Sequence, residues 1–134
     1  MRFFFDANVS SRIAGAISIL ATQEKDEVTY LRKRFAENAL DVQWIPTLAK
    51  EGNWIIISGD EAIQRRPAER KVFSDAKLTT FFLASAWPRA PFWDQAYLMV
   101  RWWPRITKFA QQAPAGTVVQ IPFGANGQFK DTFK

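Results

Sequence analysis

One continuous apolar run, WIIIS at residues 54–58, constrains the fold of this chain more than any other feature. The run shows no alternation of polar and apolar residues, and it is closed by Gly59 and Asp60. Such a strand is typical of a parallel sheet that helices cover on both faces. A second apolar strand, RFFF at 2–5, is closed in the same way by Asp6. Together they predict a central sheet with acidic residues after its strands.

Segments typical of helices and strands alternate along the rest of the chain. Clusters of β-branched and aromatic residues predict further strands at 28–31, 78–84 and 117–122. Apolar periodicity and capping residues predict helices at 13–21, 41–51, 67–76 and 92–112. Pro46 is expected in a first helical turn, and Pro104 is expected to kink or split the last helix. This order predicts an α/β fold, a three-layer α/β/α sandwich with a mostly parallel sheet, as a single domain over 1–134.

Composition narrows the chemistry. The 134 residues are 48% hydrophobic, which is ample for a core, and they contain no cysteine and no histidine. Disulfides, thiolate metal sites, imidazole bases and Ser-His triads are therefore excluded. No signal peptide and no apolar run of about 20 residues is found, so a cytoplasmic protein without a membrane partner is expected. The net charge of +5 favours polyanionic partners, although a soluble protein can simply carry such a surplus.

Three carboxylates are predicted to meet at one edge of the sheet. Asp6 and Asp60 follow two strands, and Asp41 begins the helix that leads into the second of them. Ligands of open parallel sheets bind beyond the carboxyl ends of the strands. Such a cluster would bind Mg²⁺ or Mn²⁺, which prefer carboxylate and water ligands. Taken one at a time, each aspartate also fits a turn or a helix cap.

The blocks RFFFDAN, ALDVQWIPTLAKEGNWIIISGDEAI and RRPAERKVF resemble the PIN-like nucleases, most of all the VapC-type toxins of bacterial toxin–antitoxin systems. The resemblance covers residues 1 to about 75. It implies a PIN fold and a metal-dependent ribonuclease in which Asp6, Asp41 and Asp60 bind the metal. Asn8 and Ser58 match the family's supporting polar positions, and a hydrogen bond from Asn8 to Asp6 is expected.

Many PIN nucleases carry a fourth acid, and no residue of this chain matches it clearly. Glu37 lies nearest to the expected region, and Glu27 and Glu61 are alternatives. Without a fourth acid, metal affinity or turnover would be low, and the resemblance would then describe the fold and not the activity.

Two groups of basic and aromatic residues are candidates for binding partners. The first directly follows Asp60 and is predicted to bind the phosphates of a nucleic acid, although a solvated helix face is the alternative; it comprises Arg65, Arg66, Arg70 and Lys71. The second recurs at helical spacing and is predicted as a protein interface, for a homodimer or an antitoxin, with base stacking as the alternative; it comprises Trp93, Tyr97, Arg101 and Arg105.

The sequence therefore favours a Mg²⁺- or Mn²⁺-dependent endoribonuclease that hydrolyses RNA. The resemblance further implies the toxin of a type II pair, inhibited by a cognate antitoxin. Two alternatives stay open. One is a PIN-like nuclease that acts on DNA or processes housekeeping RNA. The other is a catalytically silent domain that binds nucleic acid or a protein, which the unmatched fourth acid would favour.

Overall fold

The computed structural model describes residues 1–35, 41–60 and 66–130, with the side chains of 41, 42, 69 and 70 outside that description. Its strands are β1 (Arg2–Phe5), β2 (Glu27–Tyr30), β3 (Trp54–Ser58), β4 (Thr79–Leu83) and β5 (Val118–Ile121). Its helices are α1 (Ser11–Leu20), α2 (Leu31–Arg34), α3 (Asp41–Glu51), α4 (Pro67–Asp75) and α5 (Phe92–Gln112). A short 3₁₀ helix, Ala21–Glu24, follows α1.

The five strands form one sheet in the order β2-β1-β3-β4-β5, and every pair of neighbouring strands is parallel. The predicted α/β fold is confirmed, and the sheet is all-parallel where a mostly parallel one was expected. The chain adds β2 on one side of β1 and then β3 on the other side. Ligands of such doubly wound sheets bind at this reversal, beyond the carboxyl ends of β1 and β3.

Alternate side chains of the strands fill two separate cores. On one face, Phe3, Phe5 and Ile57 pack under α1 and α5, where Trp102 and Trp103 are buried. On the other face, the buried side chains come from β1, β3, β4 and from α2, α3 and α4; they include Phe4, Ile56, Phe82, Trp44 and Phe73. Because successive strand residues point to opposite faces, continuous apolar strands are needed to fill both cores.

The structure corrects the position predicted for Pro46 and the split predicted at Pro104. Pro46 lies beyond the first turn of α3, yet the helix continues to Glu51. Pro46 is exposed, so water can satisfy the one carbonyl that loses its helical partner. Pro104 does not split the last helix, since α5 runs unbroken from Phe92 to Gln112. The tail contributes an isolated antiparallel bridge from Lys130 to Gln120. In the described part of the chain, no helix is long and apolar enough to cross a bilayer.

Candidate functional site

Asp6 ends β1 at the reversal point of the sheet, and its side chain is only 5% exposed. Its backbone N–H donates to the carbonyl of Ile57 at 3.1 Å, which ties the end of β1 to β3. The carboxylate is therefore fixed on two paired strands of the core, and not on a loose loop. A carboxylate at this depth costs free energy unless it is hydrogen-bonded or bound to a cation.

Three donors from two loops hold the Asp6 carboxylate. The backbone N–H groups of Asn8 and Gly59 donate to Oδ1 at 3.0 and 3.3 Å. The buried hydroxyl of Ser58 donates to Oδ2. A carboxylate has about four acceptor positions, so these bonds leave about one on Oδ2 for a further ligand.

The predicted hydrogen bond from Asn8 is present, but it comes from the backbone. The Asn8 side chain itself is exposed. The arrangement is the Asx-turn that Asp6 alone would also favour, because Oδ1 accepts from the N–H two residues along. The Asp6 carboxylate can therefore accept the hydrogen bond of the turn on Oδ1 and still bind a ligand through Oδ2.

Ser58 connects the two acidic residues. Its hydroxyl donates to Asp6 and accepts from the backbone N–H of Asp60 at 3.2 Å. Asp60 follows β3 and lies close enough for its charge to act on Asp6. The structure thus brings Asp6, Ser58 and Asp60 together at the carboxyl edge.

Burial raises the pKa of the Asp6 carboxyl from 3.8 to about 6. The hydrogen bonds from Ser58, Gly59 and Asn8 oppose this increase, and the negative charge of Asp60 adds to it. Among the described residues, no cation contributes to this shift and none forms an ion pair with Asp6. Asp6 is therefore a buried acid that the described protein stabilises by hydrogen bonds and not by a cation.

Gly59, which closes the apolar run WIIIS, is a site residue that was not among the predicted ones. A Cβ atom built on Gly59 would lie 2.9 Å from the backbone oxygen of Asn8, closer than side chains tolerate. Only glycine lets the β1 and β3 loops approach closely enough for both to donate to Asp6. The signal in the sequence was a glycine between a buried strand and an aspartate.

The other predicted acids have different outcomes. Helix α3 begins at Asp41, as predicted, but the Asp41 side chain lies outside the described residues, as do Glu37 and Glu61. Glu27 is wrong as the fourth acid, because it pairs in register with Arg2 at the opposite, amino edge of the sheet. Among the side chains that the structure describes, no three acids are grouped as metal ligands.

The predicted phosphate-binding group lies around the start of α4. Arg66 immediately precedes this helix, at the carboxyl edge, and both Arg66 and Lys71 are exposed. Arg65 and the Arg70 side chain lie outside the described residues. Their role in binding phosphates stays a prediction.

The predicted interface on α5 divides into two parts. Trp93 and Tyr97 are 79% and 63% exposed, and Arg101 is exposed beside them. Arg105 instead donates to the carbonyl of Gly127 at 2.7 Å and lies 3.9 Å above the Trp102 ring. Arg105 therefore anchors the chain's own tail, and the exposed part of the predicted interface is Trp93, Tyr97 and Arg101.

A family model described as a PIN like domain matches residues 1–85, from β1 to the end of β4. The chain belongs to the PIN-like domain family. The match includes Asp6, Asp41 and Asp60 and ends before α5. It carries nothing specific to VapC-type toxins, so that narrower likeness stays a prediction. No curated protein and no solved structure matches the chain.

Proposed function

We propose that this PIN-like protein is a metal-dependent endoribonuclease that hydrolyses RNA phosphodiester bonds with Mg²⁺ or Mn²⁺. The observation that carries the proposal is Asp6, a buried carboxylate without a cationic partner in the described part of the chain, beside Asp60 at the reversal point of the sheet. Buried acids with a strongly raised pKa in such a crevice are typical of functional sites.

The donor atoms at this edge fit a hard divalent cation. Asp6 and Asp60 offer carboxylate oxygens, and about one acceptor position on Asp6 is left over. Mg²⁺ typically takes one or two protein carboxylates and keeps several water ligands. We propose Asp41 as a third carboxylate, on the grounds that α3 begins at this residue. A fourth acid is left open between Glu37 and Glu61.

Each residue then has a distinct role. A divalent ion supplies Lewis acidity, which lowers the pKa of a water nucleophile and neutralises charge on the phosphate. Asp6 and Asp60 would hold the ion, and Ser58 fixes the orientation of Asp6 through its hydroxyl. Arg65 or Arg66, next to Asp60 in sequence, would neutralise the charge that develops on the phosphate.

The test is cleavage of a mixed structured RNA pool by the purified protein with Mn²⁺, with Mg²⁺ and with EDTA. We expect cleavage only with metal, and a loss of at least about 1,000-fold in Asp6→Asn and Asp60→Asn, since metal stabilisation is worth several kcal/mol. Asp75→Asn, an exposed aspartate at the far end of α4, is the matched control and should cleave normally.

Metal binding is measured separately from turnover. Mn²⁺ should raise the melting temperature of the wild type and of Asp75→Asn, because a ligand that binds only the folded state stabilises it. It should not do so in Asp6→Asn. If folded wild type neither cleaves RNA nor gains stability from metal, the proposal fails, and a silent binding domain becomes the better description. Cleavage of single-stranded DNA in preference to RNA would identify a DNA nuclease instead.

We also propose that the exposed part of α5 binds a protein partner, either a cognate antitoxin or a second copy of the chain. Trp93 and Tyr97 are large exposed side chains next to Arg101, and these residue types are enriched at interface hot spots.

The proposal of an antitoxin partner rests on the likeness to VapC-type toxins alone. Induced expression should arrest growth in the wild type and not in Asp6→Asn; unimpaired growth would remove the toxin role and leave the nuclease.

A further inference from the structure

A small cleft opens beside Asp6, on the β2 side of the candidate metal site. Its walls are the loop from β1 into α1 and the junction from β2 into α2. The strand register brings these two segments together. Phe5 pairs with Tyr30 in parallel, so the residues that follow β1 lie next to the residues that follow β2. The cleft has a volume of about 140 Å³, and its lining includes Asp6, Ser10, Arg12, Tyr30 and Arg32.

The two arginines of this cleft are exposed and carry no ion pair within the described chain. Their neighbours behave differently. Arg34, two residues after Arg32, is bound by both carboxylate oxygens of Glu51, at 3.0 and 2.7 Å. Arg2 contacts Glu27 and Glu51. In the described part of the chain, Arg2 and Arg34 are therefore held by carboxylates, whereas Arg12 and Arg32 have no ion pair.

Among the residues that the structure describes, Asp6 is the only acid that lines the cleft. If a metal ion neutralises this carboxylate, the remaining charge of the lining is that of Arg12 and Arg32. Two guanidinium groups in one cleft suit an oxyanion with several acceptor oxygens, since each guanidinium can donate two parallel hydrogen bonds. The volume lies well below the roughly 300 Å³ at which sites for small molecules begin. It therefore suits one phosphodiester group of a longer chain better than a whole nucleotide.

We propose that Arg12 and Arg32 bind a phosphodiester of single-stranded RNA next to the one that is cut. This inference rests on the proposed function, because it takes the metal site at Asp6 as the point of cleavage. It places an RNA contact on the opposite side of that site from Arg66. The strand would then cross the carboxyl edge of the sheet, from the β2 side to the start of α4.

The experiment measures affinity for RNA and not turnover. Binding of a short fluorescein-labelled single-stranded RNA is followed by anisotropy in EDTA, where a metal-dependent nuclease does not cut. Every protein in this comparison also carries Asp6→Asn, which neutralises the lining carboxylate as a bound metal ion would. The test variant is Arg12→Ala/Arg32→Ala. The matched control is Lys50→Ala/Lys108→Ala, which removes the same charge from two exposed lysines near the ends of α3 and α5, at the amino edge.

We expect the test variant to bind at least about tenfold more weakly, because charge-assisted bonds to phosphate are among the stronger polar contacts. The slope of log affinity against log salt should fall by about 0.7, because both arginines bind the same phosphate. The control should keep affinity and slope close to those of Asp6→Asn alone. Circular dichroism and melting temperature verify that each variant is folded.

The outcomes separate the two proposals. Unchanged RNA affinity in a folded Arg12→Ala/Arg32→Ala, or an equal loss in the control, overturns the role of the cleft even if the wild type cleaves RNA. A selective loss in the test variant supports the cleft even if the wild type cleaves nothing, in which case the proposed nuclease is the part that fails. An Asp6→Asn protein that does not bind the RNA at all overturns the cleft.

Discussion

Glu51, at the amino edge of the sheet, is paired with two arginines, whereas Asp6, at the carboxyl edge, has no ion pair in the described structure. Glu51 accepts from Arg34 and from the Trp54 indole, and Arg2 lies 3.5 Å away. These contacts, led by the Arg34 hydrogen bonds, lower the pKa of Glu51, while burial raises that of Asp6 to about 6. The amino edge uses charge to stabilise the fold. At the carboxyl edge, hydrogen bonds offset only part of the cost of burying the Asp6 charge, which is expected where a ligand completes the site.

The largest expected effect that tests this contrast is the change in stability of Asp6→Asn. The folded protein binds the Asp6 proton more tightly than the unfolded chain does, so wild-type stability falls as pH rises from about 4 through about 6. A pKa raised from 3.8 to about 6 corresponds to roughly 3 kcal/mol at neutral pH. In EDTA, Asp6→Asn should be more stable than the wild type by up to about this amount above pH 7, and the difference should vanish below about pH 4.

Urea unfolding across this pH range, followed by tryptophan fluorescence, measures the difference. Asp94→Asn is the control, because Asp94 is exposed in the first turn of α5. This variant keeps Asp6 and should follow the wild type across the pH range. An Asp6→Asn variant less stable than wild type at pH 7 would mean that Asp6 is a structural hydrogen-bond acceptor, and the contrast between the edges would disappear.

The second test concerns Ser58, which orients Asp6. Ser58→Ala removes the hydroxyl that donates to Asp6 and accepts from the Asp60 N–H. Groups that orient metal ligands typically contribute about 10- to 100-fold to metal affinity or activity. We therefore expect a loss of this size in Mn²⁺ affinity, measured by calorimetry, and in RNA cleavage. Ser58→Thr should restore part of it if the hydroxyl is what matters; equal losses in both variants would point to packing at this fully buried position.

The third test compares two glycines. Gly59→Ala places a methyl group 2.9 Å from the Asn8 backbone oxygen, so the two site loops must separate, at a cost of about 1–3 kcal/mol. Gly15→Ala is the matched control, because Gly15 lies within α1 with open space around it. It should stabilise the protein by roughly 0.5–1 kcal/mol through helix propensity. Thermal unfolding of both variants should show opposite signs, and a neutral Gly59→Ala would mean that the loops move apart freely.

Much of this site could be predicted from the sequence, because its acidic residues come directly after two strands that are easy to recognise. RFFF and WIIIS are apolar enough to define buried parallel strands, and the residue types that follow them, Asp6 and Asp60, indicate the edge where ligands bind. The fold class follows from the same runs, since a strand that is apolar on both faces needs a helical layer on each.

What could not be predicted depends on which strands are neighbours. Glu27 was a reasonable fourth acid until the register placed it beside Arg2 at the other edge. Arg12 and Arg32 are twenty residues apart, and only the pairing of β1 with β2 brings them to one cleft. The donors from Asn8 and Gly59 are backbone groups, which residue type does not reveal.

The smallest expected effect tests the amino edge. Because the pKa of Glu51 is lowered in the folded protein, its contribution is present above the unfolded value near 4.5 and is lost as pH falls through the folded value. The side chain is 27% exposed, so solvent screens the network, and Glu51→Gln should cost only about 0.5–1 kcal/mol at pH 7 and less near pH 3. A double-mutant cycle with Arg34→Gln measures the interaction free energy of the Glu51–Arg34 pair.

RNA cleavage should be unchanged in Glu51→Gln, since Glu51 and its arginine partners lie at the far edge of the sheet. If Glu51→Gln instead reduced cleavage as Ser58→Ala does, the two edges would be coupled, and charge pairing would no longer distinguish the residues that stabilise the fold from those that act in the site.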